Sequence, residues 1–244
     1  MNGIIMSKFI YTKEKPLRVF TAFSGYDSQC MALDRIGIPY ELVGWSEIDK
    51  YAIQAHNAVY PQYADRNYGD ISKIEWESVP DFDLFTYSFP CTDISNAGVQ
   101  KGLAEGSGTR SSLLWECCKA IEIKKPKYLL MENVKALVSQ KFLPYYKKWE
   151  QYLAGLGYDN HCKVINATQC NCPQNRERIF IFSILDNDKP FHFPEPIPLT
   201  KRLKDVLEPE VDDKYVLSDT AIEGFLKHNE YNEENSTAAE PDAR

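Results

Sequence analysis

Cys91 stands where a short apolar run, Leu84-Phe85-Thr86-Tyr87, breaks at Pro90 and gives way to polar, loop-prone residues. Residues 83–87 suffice for a buried strand that the proline ends. The thiol then falls just past the carboxyl end of a strand, where open α/β sheets place their ligands, and is a candidate nucleophile. A free cysteine is more often a small buried hydrophobe, and position alone leaves both readings open. Arg176 and Arg178 alternate at the start of another apolar run, so on a strand they project to one face, as surface charge or as part of a site. The turn Ser24-Gly25-Tyr26-Asp27-Ser28 lies between a strand candidate and a helical pattern. Backbone N–H groups at a helix amino end meet a ligand where glycine permits close approach, so this turn is the place for a nucleotide-like cofactor. Glu47, ending the next strand candidate, would accept from ribose hydroxyls or be a solvated loop carboxylate.

These residues need elements to hold them. Residues 17–23 form a strand candidate, followed by a helical pattern through Cys30, Met31, Leu33 and Ile36 that Gly37 closes. Residues 40–46 read as a second strand, 51–60 as a helix stopped by Pro61, and residues 69–71 as the close of a third short strand-like segment. Residues 112–124 read as a helix, 128–131 as a buried strand ending at Glu132, 142–156 as a helix ended by Gly157, and 161–167 and 179–185 as two further strands. This alternation predicts an α/β fold with a mostly parallel sheet and helices on both faces. Residues 96–110, with Gly98, Gly102, Gly106 and Gly108, read as a mobile lid beside the nucleophile. Prolines 190, 194, 196 and 198 mark a linker, and a weak helix follows near residues 220–228.

The 244 residues, 43% hydrophobic, can bury one sizeable core. No apolar run approaches the roughly 18 residues that span a bilayer, and the amino end lacks a signal-peptide core, so the expected setting is the cytoplasm with no membrane partner. Seven cysteines, two of them adjacent, do not resemble a disulfide framework. His161, Cys162, Cys170 and Cys172 could be read as a zinc cluster, but no second Cys-x-x-Cys accompanies them and no metal is expected. The net charge of −7 is uneven: residues 205–244 hold 12 acidic and 3 basic side chains, leaving 23 acidic against 25 basic in residues 1–204. A body of that balance can hold phosphates through a local patch, whereas the acidic tail would repel them.

Taken in series, the Pro90-Cys91 stretch, Glu132-Asn133-Val134 and Gln174-Asn175-Arg176-Glu177-Arg178 resemble the signatures of the cytosine carbon-5 DNA methyltransferases, in the order that family uses. The resemblance covers residues 17–183. It implies a Rossmann-like S-adenosylmethionine-dependent methyltransferase fold and transfer of a methyl group to position 5 of cytosine. Cys91 would add to ring position 6, Glu132 would be the acid at ring nitrogen 3, and Arg176 and Arg178 would lie in the site, one of them on the cytosine carbonyl oxygen. The cofactor S-adenosylmethionine would be held by Phe23, Ser24, Gly25 and Tyr26, by Glu47 on the ribose, by Asp70 and Ile71 on the adenine, and by Ile48, Pro90 and Leu113 lining the pocket. In the family turn Phe-x-Gly-x-Gly, Phe23 and Gly25 match, while Asp27 and Ser28 stand where glycines are usual; Asp tolerates the left-handed backbone better than most residues. The implied partner is double-stranded DNA with a cytosine flipped into the pocket.

Family members carry further segments after this core: a variable target-recognition region, an arginine-containing segment and a final Gly-Asn-x-Val-like segment. Residues 203–217 look like the opening of the recognition region, and the later segments are not found. The expected organisation is an extension at 1–16, a catalytic and cofactor-binding domain at 17–188, a linker and truncated recognition region at 189–228, and a disordered tail at 229–244. An active enzyme would then take the recognition region from a partner chain or have lost it by truncation. A non-catalytic cofactor- or nucleic-acid-binding remnant and an RNA cytosine methyltransferase are the other readings.

Overall fold

The computed structural model describes residues 11–90 and 110–236. Cys91 and nearly all of the glycine-rich 96–110 stretch lie outside the described residues. Six strands, β1 (Leu17–Ala22), β2 (Tyr40–Ser46), β3 (Leu84–Tyr87), β4 (Tyr128–Val134), β5 (Tyr158–Asn166) and β6 (Glu177–Leu185), form one sheet in the order β2-β1-β3-β4-β6-β5. The first four are mutually parallel, and β6 runs antiparallel to both of its neighbours.

Alternate side chains enter opposite faces of the sheet, and the core accordingly has two parts. Phe20, Phe85 and Met131 pack on one face with Ile121 of α3 (Cys117–Lys124) and Trp149 and Leu153 of α4 (Leu143–Gly155). Val19, Leu42 and Leu84 pack on the other with Cys30 and Leu33 of α1 (Ser28–Ile36) and Ile53 of α2 (Lys50–Val59). Helices therefore cover both faces, as the alternation of elements requires. The β1/β2 register shifts between Val19 and Phe20, where Phe20 lies opposite Gly44. A Cβ at Gly44 would come within 2.7 Å of the Phe20 and Tyr68 rings, so the bare glycine is what lets these rings lie on the strand.

Helix ends follow local chemistry. The Asp49 carboxylate accepts from the Tyr51 and Ala52 N–H groups to start α2, and Gly37, at φ 70°, closes α1. The segment 69–71 is not a strand: Gly69 adopts φ 69°, Asp70 caps a 3₁₀ turn over Ile71–Lys73 by accepting from Ser72 N–H, and the nearest pairing with the sheet is an isolated Trp45–Asn67 bridge. The left-handed glycine and the capping carboxylate bend the chain away before a ladder can form.

Contacts divide the chain into one unit through Leu199 and a second from Thr200. The second unit holds two 3₁₀ turns and α5 (Asp219–Ser236), which runs further than the 220–228 helix read from the sequence and into the segment expected to be disordered. Among the described residues, no helix is long and apolar enough to cross a membrane.

Candidate active site

The carboxyl ends of β1, β3 and β4 and the start of β6 converge on a cavity of about 610 Å³. Its lining includes Phe23, Ser24, Gly25 and Tyr26 from the turn after β1, together with Glu132, Arg176 and Arg178. Two groups that are far apart in sequence, one read as cofactor-binding and one as catalytic, thus share a single cavity.

Register explains the meeting of Glu132 and Arg178. Val134 lies opposite Arg178 and Glu132 opposite Phe180, so Glu132 and Arg178 are diagonal neighbours on one face of an antiparallel pair. Arg178 Nε reaches Glu132 Oε1 at 3.0 Å, with the side chains 22% and 31% exposed. Burial pushes the Glu132 carboxyl above the usual glutamate range, against the opposing pull of Arg178, then Arg176, and a hydrogen bond from Ser88. Desolvation outweighs the two arginines, leaving a carboxyl that holds its proton to higher pH than a free glutamate.

Arg176 is set by the loop between β5 and β6. Asn166 Oδ1 accepts from both Thr168 N–H (3.1 Å) and Arg176 N–H (3.2 Å), and Ala167 N–H donates to the Arg176 carbonyl at 3.0 Å. Within the loop Asn171 takes φ 56°. Cys170 and Cys172, which the sequence had offered as metal ligands, line the cavity instead, while His161 pairs with Asp159 at 2.9 Å.

Asn133 lies beneath the site. Only 3% exposed, it donates from Nδ2 to the Phe89 carbonyl (3.0 Å) and accepts at Oδ1 from Val134 N–H (2.9 Å). It therefore pins the chain just before Pro90, the half-buried residue that leads into Cys91.

The turn after β1 is sharply wound, with Phe23 at φ 55°, Gly25 at 58° and Asp27 at 67°. Ser24 N–H and hydroxyl both donate to the Ser46 carbonyl. Glu47 holds the turn directly: Oε2 accepts from Gly25 N–H (3.0 Å), and Oε1 accepts from Ile48 N–H (2.8 Å) and Asp49 N–H (3.0 Å). A carboxylate has about four lone-pair sites, so one acceptor position remains for a ligand hydroxyl.

Glu47, Ile48, Asp70, Ile71, Pro90 and Leu113 are not among the described lining of the cavity. Ile48 projects into solvent at 68% exposure, while Ile71, 4% exposed, belongs to the main core and has little surface to offer a ring. Leu113 packs against that same core. Asp70 Oδ1 accepts from the hydroxyl and N–H of Ser72, and these bonds hold its carboxyl below the usual range. Sequence reasoning missed Ser88 and Gln29. Gln29 Nε2 approaches Ser88 Oγ at 3.5 Å, and both line the cavity; neither belongs to a motif that would have singled it out.

Comparison with known proteins gives the family and the fold. The family model described as C-5 cytosine-specific DNA methylase matches residues 17–241. A type II methyltransferase of Lactococcus lactis subsp. cremoris, M2.ScrFI, is 40% identical over 257 residues, spanning 84% of this chain and 71% of that protein. The orphan methyltransferase M.SPRI of Bacillus phage SPR is 34% identical, spanning 86% of this chain and 54% of that protein. Among solved structures, the S. pombe Dnmt2 methyltransferase superposes with a TM-score of 0.66 at 22% identity, over 85% of this chain and 66% of that one, and shares the fold. The chain thus spans little more than half of some relatives it matches.

Proposed function

Starting from a chain that belongs to the C-5 cytosine-specific DNA methylase family, we propose that it transfers a methyl group from S-adenosylmethionine to ring position 5 of cytosine in DNA. The observation that carries the reading is the Glu132–Arg178 pair at 3.0 Å in one cavity with the wound turn of residues 23–26.

The turn fits an adenosyl ligand. A Cβ on Gly25 would meet nothing within 4 Å, Glu47 keeps an acceptor site free, and Ile48 offers an uncovered apolar side chain of the kind that packs on a ring. Phe23, Ser24, Gly25, Tyr26, Glu47, Ile48 and Asp70 would hold the cofactor, which when bound supplies an electrophilic methyl on a sulfonium. The chain's own residues prepare the nucleophile. Position 5 of cytosine is a poor one until the Cys91 thiolate adds at position 6 and Glu132 gives its proton to ring nitrogen 3, turning the ring into an enamine. Arg178, beside Glu132, and Arg176 face the place where the cytosine carbonyl oxygen would lie. After transfer, the proton at position 5 passes to solvent, its C–H electron pair re-forms the 5,6 double bond as the Cys91 thiolate leaves position 6, and the nitrogen-3 proton returns to Glu132, restoring both residues. Position 6 is inaccessible in a duplex, so the base is flipped into the cavity.

The test is covalent trapping on duplex DNA containing 5-fluorocytosine, whose fluorine blocks the elimination, with and without a separately supplied recognition segment. The expected result is an adduct that Cys91→Ser abolishes, since an alcohol is a far weaker nucleophile than a thiolate, while cofactor binding survives. Trapping that persists in Cys91→Ser, or moves to another cysteine, overturns the reading.

A further inference from the structure

Asp27 follows Gly25 in the cofactor turn, at φ 67° and ψ 55°, a conformation glycine adopts freely and other residues at a cost in backbone strain. Its side chain is no solvent-facing substitute for glycine, because Asp27 is fully buried. Asp27 Oδ2 accepts from the Thr21 hydroxyl of β1 at 2.9 Å and lies 3.5 Å from Nε2 of His56, a fully buried residue of α2. Among the described residues Oδ1, also buried, finds no oxygen or nitrogen donor and His56 Nε2 makes no full hydrogen bond, so the pair meets as a close charge contact, with the buried Cys30 thiol against the same carboxyl. A buried carboxylate with an unfilled acceptor is expensive unless it does something for the fold or the site.

The His56 ring has no freedom to swing away. It stacks on Trp45 with centroids 3.7 Å apart and planes at 19°, and the Trp45 indole is itself fixed by donating to the Tyr63 carbonyl at 2.8 Å. The helix that carries His56 starts at the Asp49 cap, just after Glu47, and Glu47 grips Gly25 from above. The turn is therefore held twice by the same neighbouring segment, at Gly25 through Glu47 and at Asp27 through His56. On the opposite side of Asp27, α1 presents Ser28 and Gln29 to the cavity.

We propose that Asp27 is a positioning residue for the cofactor: its carboxylate, bridged to Thr21 and His56, locks the turn after β1 to α2 and presets the spacing between the Gly25 backbone and Glu47 that an adenosyl ligand must meet. The cofactor in this statement rests on the function proposed above; the lock itself does not.

Glycine at this position separates the two demands, since Asp27→Gly relieves the backbone and removes the bridge. Calorimetry with S-adenosylhomocysteine on the full chain should show Asp27→Gly binding about tenfold more weakly, a ratio worth about 1.4 kcal/mol. Asp27→Asn, which keeps volume and an acceptor for Thr21, should lose less. His56→Gln should weaken binding as well, and the double variant should be no worse than Asp27→Gly, because both changes remove one interaction. Amide hydrogen exchange without ligand should rise together in residues 24–28 and 50–56 of Asp27→Gly. Asp27→Gly that binds as tightly as the parent, or that lowers the melting temperature with affinity and exchange in these segments unchanged, overturns the proposal. A parent chain that fails to bind S-adenosylhomocysteine refutes the proposed function instead, and the exchange measurement still decides whether the lock exists.

Discussion

Replacing Asn133 by alanine removes a side chain that satisfies two backbone groups at once. Its orientation is not ambiguous, because one partner is a carbonyl and the other an N–H, so the amide can face only one way. The Phe89 carbonyl would be left without its partner among residues that are almost wholly enclosed, Phe89 itself being 2% exposed. A buried acceptor left unmade costs about 1–3 kcal/mol, and losing the bond from Val134 N–H adds about 0.5–1.5 kcal/mol. The expected total is about 1.5–4.5 kcal/mol, which at about 2–4 °C per kcal/mol for a chain of this size lowers Tm by roughly 3–18 °C. The freed peptide leads directly into Pro90 and Cys91, and displacement of a reacting group by about 1 Å can cost about 10²-fold in rate. Adduct formation on 5-fluorocytosine DNA should therefore slow about 10²-fold, while affinity for S-adenosylhomocysteine is unchanged, since Asn133 touches neither the turn nor Glu47. Thermal melts, trapping and calorimetry on one preparation read all three. Asn133→Ala that melts with the parent and traps at the parental rate would show that the Phe89 carbonyl finds another donor and that the pinning is illusory.

Glu132 is harder to ionise in the fold than in the unfolded chain, so its own contribution to native stability is full below the ordinary glutamate pKa and is lost as pH rises through the raised native value. The advantage of Glu132→Gln over the parent in thermal melts should therefore be larger at pH 8 than at pH 4.5; an advantage that shrinks with rising pH would mean the carboxyl is stabilised as the anion. Gly44→Ala places a methyl 2.7 Å from two aromatic rings and should destabilise by about 1–3 kcal/mol as overpacking, read by urea unfolding; a neutral result would mean the rings move freely. Asp70→Ala removes both the 3₁₀ cap and a proposed adenine acceptor, and should weaken S-adenosylhomocysteine binding by about 1.5–3 kcal/mol in calorimetry, with unchanged affinity counting against that role.

Much of the architecture was written in local patterns. The apolar runs at β1 and β2 and the stops at Gly37, Pro61 and Gly157 bound their elements to within a residue or two, while β4 runs three residues past the 128–131 read for it, because burial periodicity and turn chemistry act over a few residues and the polar Glu132 and Asn133 hide its end. The segment 69–71 was misread since Ile71 is core but reaches it from a turn, and apolar character alone does not distinguish the two. The gathering of Glu132 and Arg178 could be expected from motif order, yet its mechanism could not: it depends on β6 running antiparallel to β4 and on the diagonal register between them, which no local signal encodes. Asp27 was visible as a residue out of place in the turn. His56, on a different helix, carried no signal at all, because the pairing exists only through the packing of α2 beside β1.

The insertion of β6 between β4 and β5 has a consequence for the newborn chain. When the ribosome has delivered β5, that strand has no partner yet, because its neighbour in the sheet comes later, and β4 still presents a bare edge of the kind that recruits other chains. At about 5–20 residues per second, synthesis from Val134 to Leu185 leaves that edge open for roughly 2.5–10 s. When β6 threads in, it closes the edge, gives β5 its partner and delivers Arg178 to Glu132 in the same event. The Glu132–Arg178 pair is thus assembled by the arrival of β6, and no nascent chain that stops short of that strand possesses it.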